Sequence, residues 1–388
     1  MTRQAYMELA RRDSVASEEA AFDHLSDTKL EQNSRHSAEA HARRPNSHKV
    51  LQLLRSRARL LQNPLVVIIL VLLTLCLSLS VWIAYLSEGL HRIPGDGLDD
   101  LFGRHITRES PSIWDYEHQS LIHKAFPVAV HSHNDYSQRI PLFQALGSGC
   151  ISVEADVHLR NSDLLVGHHK SQLHPSKTLQ TMYLDPLERI IRARNPNTIT
   201  GDWRGIFELA SNQTLVLLVD LKTEGTKTLA MLVSQLRPLR DLGYLTHWNG
   251  TARVMRPLTV VGTGNTPFLN ENTYRDVFWD AELSQLVSEQ DTDDYFIYNV
   301  SNSYYASTQW NKVLSRDAKT KSQSNVALQI ERAKERGLLA RYWDTPAQPP
   351  NMRELVWRRL IQNDVGVLNM DNMGIVRDRA QGWGRLIR

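Results

Sequence analysis

Between Val128 and His169 the chain carries three groups of histidines and carboxylates: His131-Ser-His133-Asn134-Asp135, Glu154-Ala-Asp156 and His168-His169. Each closes a short apolar, β-branched run: VAV, CISV or LLVG. Parallel strands of a barrel or open α/β sheet bring such ends together at one rim, where ligands bind. Glu154 and Asp156 are two apart, so on a strand both carboxylates point to one side. Two carboxylates turned toward a packed interior are costly unless a cation neutralises them. Hard oxygen donors of this kind suit Mg2+ or Ca2+. Asp220 closes another apolar run, LVLLVD, with Lys222 on the same side. It reads as a third ligand with Lys222 facing an anionic substrate, or as half of an Asp220–Lys222 ion pair. Two histidines beside a metal supply a general base and a general acid near neutral pH. This set suits phosphodiester cleavage: the metal neutralises phosphoryl oxygens, one histidine activates a hydroxyl and the other protonates the leaving oxygen.

The elements that must hold these residues are legible in outline. The ~260 residues from Pro127 to Arg388 match the usual size of a (β/α)8 TIM barrel. Strand-like runs at 128–130, 150–153, 164–167, 214–221, 258–262, 277–281, 295–300, 338–343 and 366–370 alternate with amphipathic stretches. That alternation is the pattern of a parallel α/β architecture. Helices are expected at 140–146, where Asn134 and Asp135 are alternatively caps, and at 226–242, 331–337 and 352–362. The aromatics of the second half, Phe278-Trp279, Tyr295-Phe296, Tyr298 and Tyr304-Tyr305, read mainly as packing.

A chain of 388 residues with 41% hydrophobic content can bury a sizeable core. Its net charge of +3 leaves no nucleic-acid footprint. Residues 65–86 (LVVIILVLLTLCLSLSVWIAYL) form an uncharged apolar run long enough to span a bilayer, with Trp82 and Tyr85 at an interfacial position. It lies too far from the N-terminus, and is too long, for a signal peptide. Arg43, Arg44, Lys49, Arg55, Arg57 and Arg59 precede it, whereas residues 87–106 hold only Arg92 and Arg104. The positive-inside rule therefore predicts a single-pass type II protein with its C-terminal part lumenal or extracellular, in the endomembrane system. Three glycosylation sequons, at Asn212, Asn249 and Asn299, lie on that side. Cys76 sits in the apolar run and Cys150 is alone beyond it, so no disulfide braces the C-terminal domain. The predicted organisation is a disordered cytosolic tail (1–63), a transmembrane helix (64–87), a stalk (88–126) and the barrel (127–388).

The motifs resemble those of the phospholipase-C-like phosphodiesterase superfamily, which includes glycerophosphodiester phosphodiesterases and phosphoinositide phospholipases C. Within it, HSHNDY, VEADV and VGH resemble the fungal family called altered inheritance of mitochondria protein 6, over most of 127–388. The resemblance implies His133 and His168 as the acid–base pair, and Asn134, Glu154, Asp156 and Asp220 as ligands of a divalent cation. It makes Lys222 a substrate contact, and we group His131 and His169 with it. Two departures from the glycerophosphodiesterase pattern stand out. Asn134 replaces an arginine after the first histidine, which removes a phosphate-binding group and counts against ordinary glycerophosphodiesters. His169 replaces an aspartate after the second.

Two other readings compete. His131-Ser-His133 with Asp371 matches part of a zinc amidohydrolase site, but such a site needs further histidines on later strands. After His174 only His247 remains. Asp371 is then a rim residue of the last strand. The other reading is a membrane-tethered binding protein on an inactive barrel. The expected partners are a phosphodiester or phospholipid substrate and the membrane.

Overall fold

The structure is a computed structural model that describes residues 63–91, 102–103, 105–268, 273–287, 297–314 and 322–377. The expected cytosolic tail lies outside the described residues, except for Asn63 at its end. Helix α1, Pro64–His91, includes a 22-residue stretch of mean hydropathy 2.9, with its side chains exposed. It is long and apolar enough to cross a membrane. Two of its polar side chains bond within the helix: Thr74 Oγ1 donates to the Leu70 and Val71 carbonyls, and Ser78 Oγ to that of Leu75. A helix in hydrocarbon has to meet its hydrogen bonds internally in this way.

The second unit is a closed barrel. Its strands in chain order are β1 (Val128–Ser132), β2 (Cys150–Arg160), β3 (Asp163–Val166), β4 (Leu215–Leu221), β5 (His247–Trp248), β6 (Arg253–Val254), β7 (Leu258–Gly264), β8 (Val277–Glu282), β9 (Ser303–Gln309), β10 (Leu339–Trp343) and β11 (Val367–Met370). Around the ring the order is β1, β2, β4, β7, β8, β9, β10, β11 and back to β1, every neighbour parallel. Helices on the outside cover it: α2 (Tyr116–Lys124), α3 (Phe143–Gly147), α4 (Asp185–Arg194), α5 (Gly225–Gln235), α6 (Arg237–Asp241), α7 (Trp310–Leu314), α8 (Ser322–Glu335), α9 (Pro350–Gln362) and α10 (Met373–Arg377). With both faces covered, a strand such as β4 reads as an unbroken apolar run until Asp220.

The (β/α)8 expectation is met in the ring, with local differences. The run at 164–167 is not a barrel strand. It is β3, which pairs antiparallel with the far end of β2 through Arg160↔Asp163. Asn161 and Ser162, at φ 48° and 61°, make the two-residue turn with positive φ at both positions that suits a hairpin. The strand expected at 295–300 falls later, at β9. Tyr295 and Phe296 lie outside the described residues, and 297–302 form bends and turns. β9 escaped the sequence reading because its buried positions include Ser303, Ser307 and Thr308, which break any apolar run. The helix expected at 226–242 is two helices, α5 and α6, because Pro238 cannot donate its part of the backbone ladder. Between β7 and β8 no α-helix occurs among the described residues.

The expected stalk is, from Phe102 on, part of the barrel body. Phe102, Ile113 and Ile122 are fully buried in the main core. Trp114 packs edge-on to Phe143 at 5.3 Å, and Arg139 Nη1 donates to the Gly103 and Ile106 carbonyls.

Candidate active site

The parallel register determines which side chains meet. Asp156 on β2 stands directly beside Asp220 on β4, and Glu154 lies two residues back on the same side of β2. Glu154, Asp156 and Asp220 each offer an oxygen within 4.8 Å of the others. Three carboxylates this close repel one another unless cations or protons intervene. The protein supplies two cations of its own. Lys222 Nζ lies 2.6 Å from Asp220 Oδ2 and 3.1 Å from Asp156 Oδ2. Arg341, buried on β10, places Nη2 3.1 Å from Glu154 Oε2.

Those neighbours set the protonation states. Burial pushes the Glu154 carboxyl up, but Arg341 and the hydrogen bond from His131 outweigh it and hold it well below the usual range. Burial raises Asp220; Lys222 opposes this, while Asp156 and Glu154 add to it. Burial lowers the Lys222 ammonium, but Asp220 and Asp156 more than reverse it, leaving the group above its ordinary value. Asp220 is able to approach so closely because Gly264 faces it. A Cβ there would meet Asp220 Oδ1 at 2.0 Å, and the glycine's φ of +65° disfavours a side chain as well.

The two rim histidines are each oriented by a carboxylate. His133 Nδ1 donates to Asp371 Oδ1 at 2.7 Å, and its Nε2 lies 3.8 Å from Glu154 Oε2. Desolvation lowers the His133 imidazole, but Asp371 and Glu154 together raise it above its ordinary value. His168 Nδ1 donates to Asp156 Oδ2 at 2.7 Å. The β2–β3 hairpin explains how His168 returns to the rim: the Gly167 N–H bonds the Asp156 carbonyl at 3.0 Å, immediately before the histidine. The Nε2 of His133 also has the Asn134 Nδ2 3.4 Å away.

Asn134 holds a left-handed conformation, φ 48°, a region asparagine tolerates better than most residues. Its Oδ1 accepts from the Tyr136 hydroxyl, which also reaches Asp156 Oδ2 at 2.9 Å. This loop is anchored from beneath by Asp135. That buried carboxylate accepts from Ser132 Oγ, the Leu142 N–H and Tyr183 Oη, and burial pushes its pKa up to about 6.

Asp156 also supplies a direct test for a cation. Its Oδ2 is shared by Tyr136, His168 and Lys222, but its Oδ1 is buried with no protein partner. A buried acceptor left without a donor is costly, and a hard cation satisfies it. The donor set, three carboxylates with the Asn134 amide oxygen nearby, fits Mg2+ or Ca2+.

The other two residues grouped as substrate contacts sit differently. His131 is fully buried beneath Glu154, with Nε2 2.9 Å from Glu154 Oε2 and Nδ1 2.6 Å from Ser152 Oγ. Burial, with the Arg341 charge adding, pushes its pKa down to about 3, so it is a neutral prop for Glu154, closed off from solvent. His169 is exposed at the rim, its ring edge-on to His168 at 4.5 Å.

Sequence reasoning missed Tyr136 and Arg341, and after weighing Asp371 as a zinc ligand settled on a rim residue. The signal for Arg341 was available: a charged residue inside the strand LARYW, which is stable there only with buried partners. It finds Asn369 Oδ1 at 3.0 Å, Ser307 Oγ at 3.5 Å and Asp280 Oδ2 at 3.8 Å besides Glu154. Tyr136 follows the histidine cluster without a periodic pattern to mark it.

Comparison with known proteins bears on the same region. Residues 119–280 match the family model described as an AIM6-like phosphodiesterase domain. The altered inheritance of mitochondria protein 6 homolog of Arthroderma benhamiae is 37% identical over 271 residues, covering 65% of this chain and 83% of the relative. The altered inheritance of mitochondria protein 6 of Eremothecium gossypii is 36% identical over 268 residues, covering 64% and 68%. Among solved structures, a glycerophosphoryl diester phosphodiesterase from Parabacteroides distasonis aligns at 11% identity with a TM-score of 0.35, covering 68% of this chain and 90% of that one.

Proposed function

The chain belongs to the family of altered inheritance of mitochondria protein 6, and on that premise we propose that its barrel cleaves phosphodiesters with a bound divalent cation. The observation that carries this reading is the cluster itself: three carboxylates within 4.8 Å of one another, flanked by two histidines that each have a carboxylate on Nδ1. Glu154, Asp156 and Asp220, with Asn134, would hold the ion. A Mg2+ or Ca2+ bound there supplies positive charge to the non-bridging oxygens of the phosphoryl group.

The remaining steps belong to the protein. His133 and His168 divide the proton transfers. One Nε2 takes the proton of the attacking hydroxyl or water, and the other returns a proton to the leaving oxygen. Asp371 and Asp156 fix the tautomer by accepting from Nδ1, so each ring presents Nε2 in a constant role. Lys222 adds positive charge for an anionic substrate, with His169 exposed at the mouth beside His168. His131 and Arg341 act one layer below, keeping Glu154 ionised and in place.

The substrate class follows from the anchor. A single-pass type II arrangement, with the barrel lumenal or extracellular, is supported by the apolar helix and by the charges on its N-terminal side. It favours a membrane-borne phosphodiester such as a phospholipid with an inositol or glycosylated headgroup. The test is a headgroup-resolved panel of phospholipids, with bis(4-nitrophenyl) phosphate as a generic ester. It uses the full chain in detergent with Mg2+, Ca2+ or chelator. Cation-dependent release of a phosphorylated headgroup or of nitrophenol is expected. No turnover on the whole panel, with no stabilisation by either ion, would instead make the barrel a binding protein.

A further inference from the structure

The three sequons share a place in the fold that the sequence could not show. Asn212 lies three residues before the first residue of β4, and Asn299 four before that of β9. Asn249 lies between the paired strands β5 and β6, just ahead of β7. That hairpin is fixed at the entry end of the barrel: Leu245 bridges to Leu258, the first residue of β7, and the Trp248 N–H bonds the Arg275 carbonyl just before β8. All three asparagines therefore stand at the N-terminal ends of barrel strands. The residues of the proposed active site lie toward or beyond the C-terminal ends. Seven-residue strands such as β4 and β7 run ~20 Å at ~3.3 Å per residue, which at the usual ~36° tilt separates the two faces by ~16 Å.

The local geometry differs among the three. Asn212 is exposed, but the Thr214 hydroxyl of its sequon is buried 2.8 Å from Thr259 Oγ1, so transfer there has to precede folding. Asn249 is exposed and its Oδ1 accepts from the Thr251 N–H, Thr251 Oγ1 and the Ala252 N–H, which leaves Nδ2 outside these bonds. At Asn299, which is half-buried, Oδ1 likewise accepts from the Ser301 N–H and Oγ at 2.9 and 2.7 Å. The shared turn presents the carboxamide and the hydroxyl of each of these two sequons as one unit.

We propose that the N-terminal face of the barrel is a glycan-bearing face, with N-linked oligosaccharide on Asn212, Asn249 and Asn299. The donor is an oligosaccharide carried on a lipid pyrophosphate. Nδ2 attacks the anomeric carbon, a C–N bond forms, the C–O bond to the pyrophosphate breaks, and the lipid pyrophosphate leaves as the amide loses one proton. Sugar on this face adds bulk and solubility and leaves the catalytic mouth uncovered. The assignment rests on the lumenal placement proposed above and not on the catalytic reading.

The test is expression of the full chain in a eukaryotic host, followed by peptide-N-glycosidase digestion and gel mobility. Three mobility steps are expected, one lost in each of N212Q, N249Q and N299Q. T251A should lose the same step as N249Q, and T251S should keep it, which a merely structural change would not reproduce. A site whose variant leaves the pattern unchanged is struck out, and a chain with no digestible step overturns the proposal. Protease protection in sealed microsomes separates the two possible failures. A protected barrel without sugar refutes the glycan face alone, whereas a digested barrel refutes the lumenal placement.

Discussion

Replacing Arg341 with methionine probes how the fold tolerates an ionised Glu154 in its interior. Arg341 is buried, with Nη2 3.1 Å from Glu154 Oε2 and Nη1 3.8 Å from Asp280 Oδ2. At an effective dielectric constant of about 20, unit charges 3.1 Å apart attract by ~5 kcal/mol, part of which offsets desolvation. Stranding the surviving partner of a buried pair costs about 3–5 kcal/mol. For a domain of this size each kcal/mol moves the melting temperature by about 2–4 °C, so R341M should melt roughly 10 °C below the parent. The double variant R341M/E154Q should recover much of that loss, because Glu154 no longer carries a charge that needs Arg341. Because the fold lowers the Glu154 pKa, the pair's stabilisation is present above the unfolded value, about pH 4.3, and is lost as pH falls through the folded one. The gap between R341M and the parent should therefore narrow in acid. Thermal melting of the full chain by circular dichroism, without added metal and from neutral pH to well below pH 4, measures both effects. An R341M that melts within a degree of the parent at neutral pH, or a gap that widens in acid, would refute the reasoning.

Other outcomes follow from the same geometry. H133A and H168A should each reduce turnover by at least ~100-fold, the usual worth of a general acid or base, with melting curves close to the parent's; near-normal activity in either removes it from the proton transfers. In D371N the carboxylate that raises the His133 pKa is gone, so whichever limb of the kcat/KM profile reports His133 should move to lower pH, and an unmoved profile would separate Asp371 from the chemistry.

The ring of the barrel and its carboxylate cluster were legible in the sequence because apolar runs and i, i+2 spacing have a direct geometric meaning. Glu154, Asp156 and Asp220 could be paired on paper, and they meet in space. What escaped was set by partners distant in sequence. The return of His168 depends on a hairpin turn at Asn161-Ser162 that reverses the chain above the rim. That turn is marked only by a weak Asn-Ser signal. β9 was displaced because its buried serines and threonine, of which Ser307 bonds Arg341, look like a loop to a hydrophobicity argument. His131 was grouped with the substrate contacts because its spacing from His133 resembles a shared site. One strand step places it under Glu154, against Ser152, a role only the neighbouring strand reveals.

The central claim is that Glu154, Asp156 and Asp220 together hold one divalent ion, and isothermal titration of the full chain with Mg2+ and Ca2+ tests it directly. The expected result is one ion per barrel for the parent, with affinity markedly weakened in D156N and D220N. A parallel rise in melting temperature should accompany binding, since a ligand at 100 times its Kd adds about 2.7 kcal/mol. Unchanged affinity in both variants, or a parent that takes up neither ion at millimolar concentration, would contradict the account.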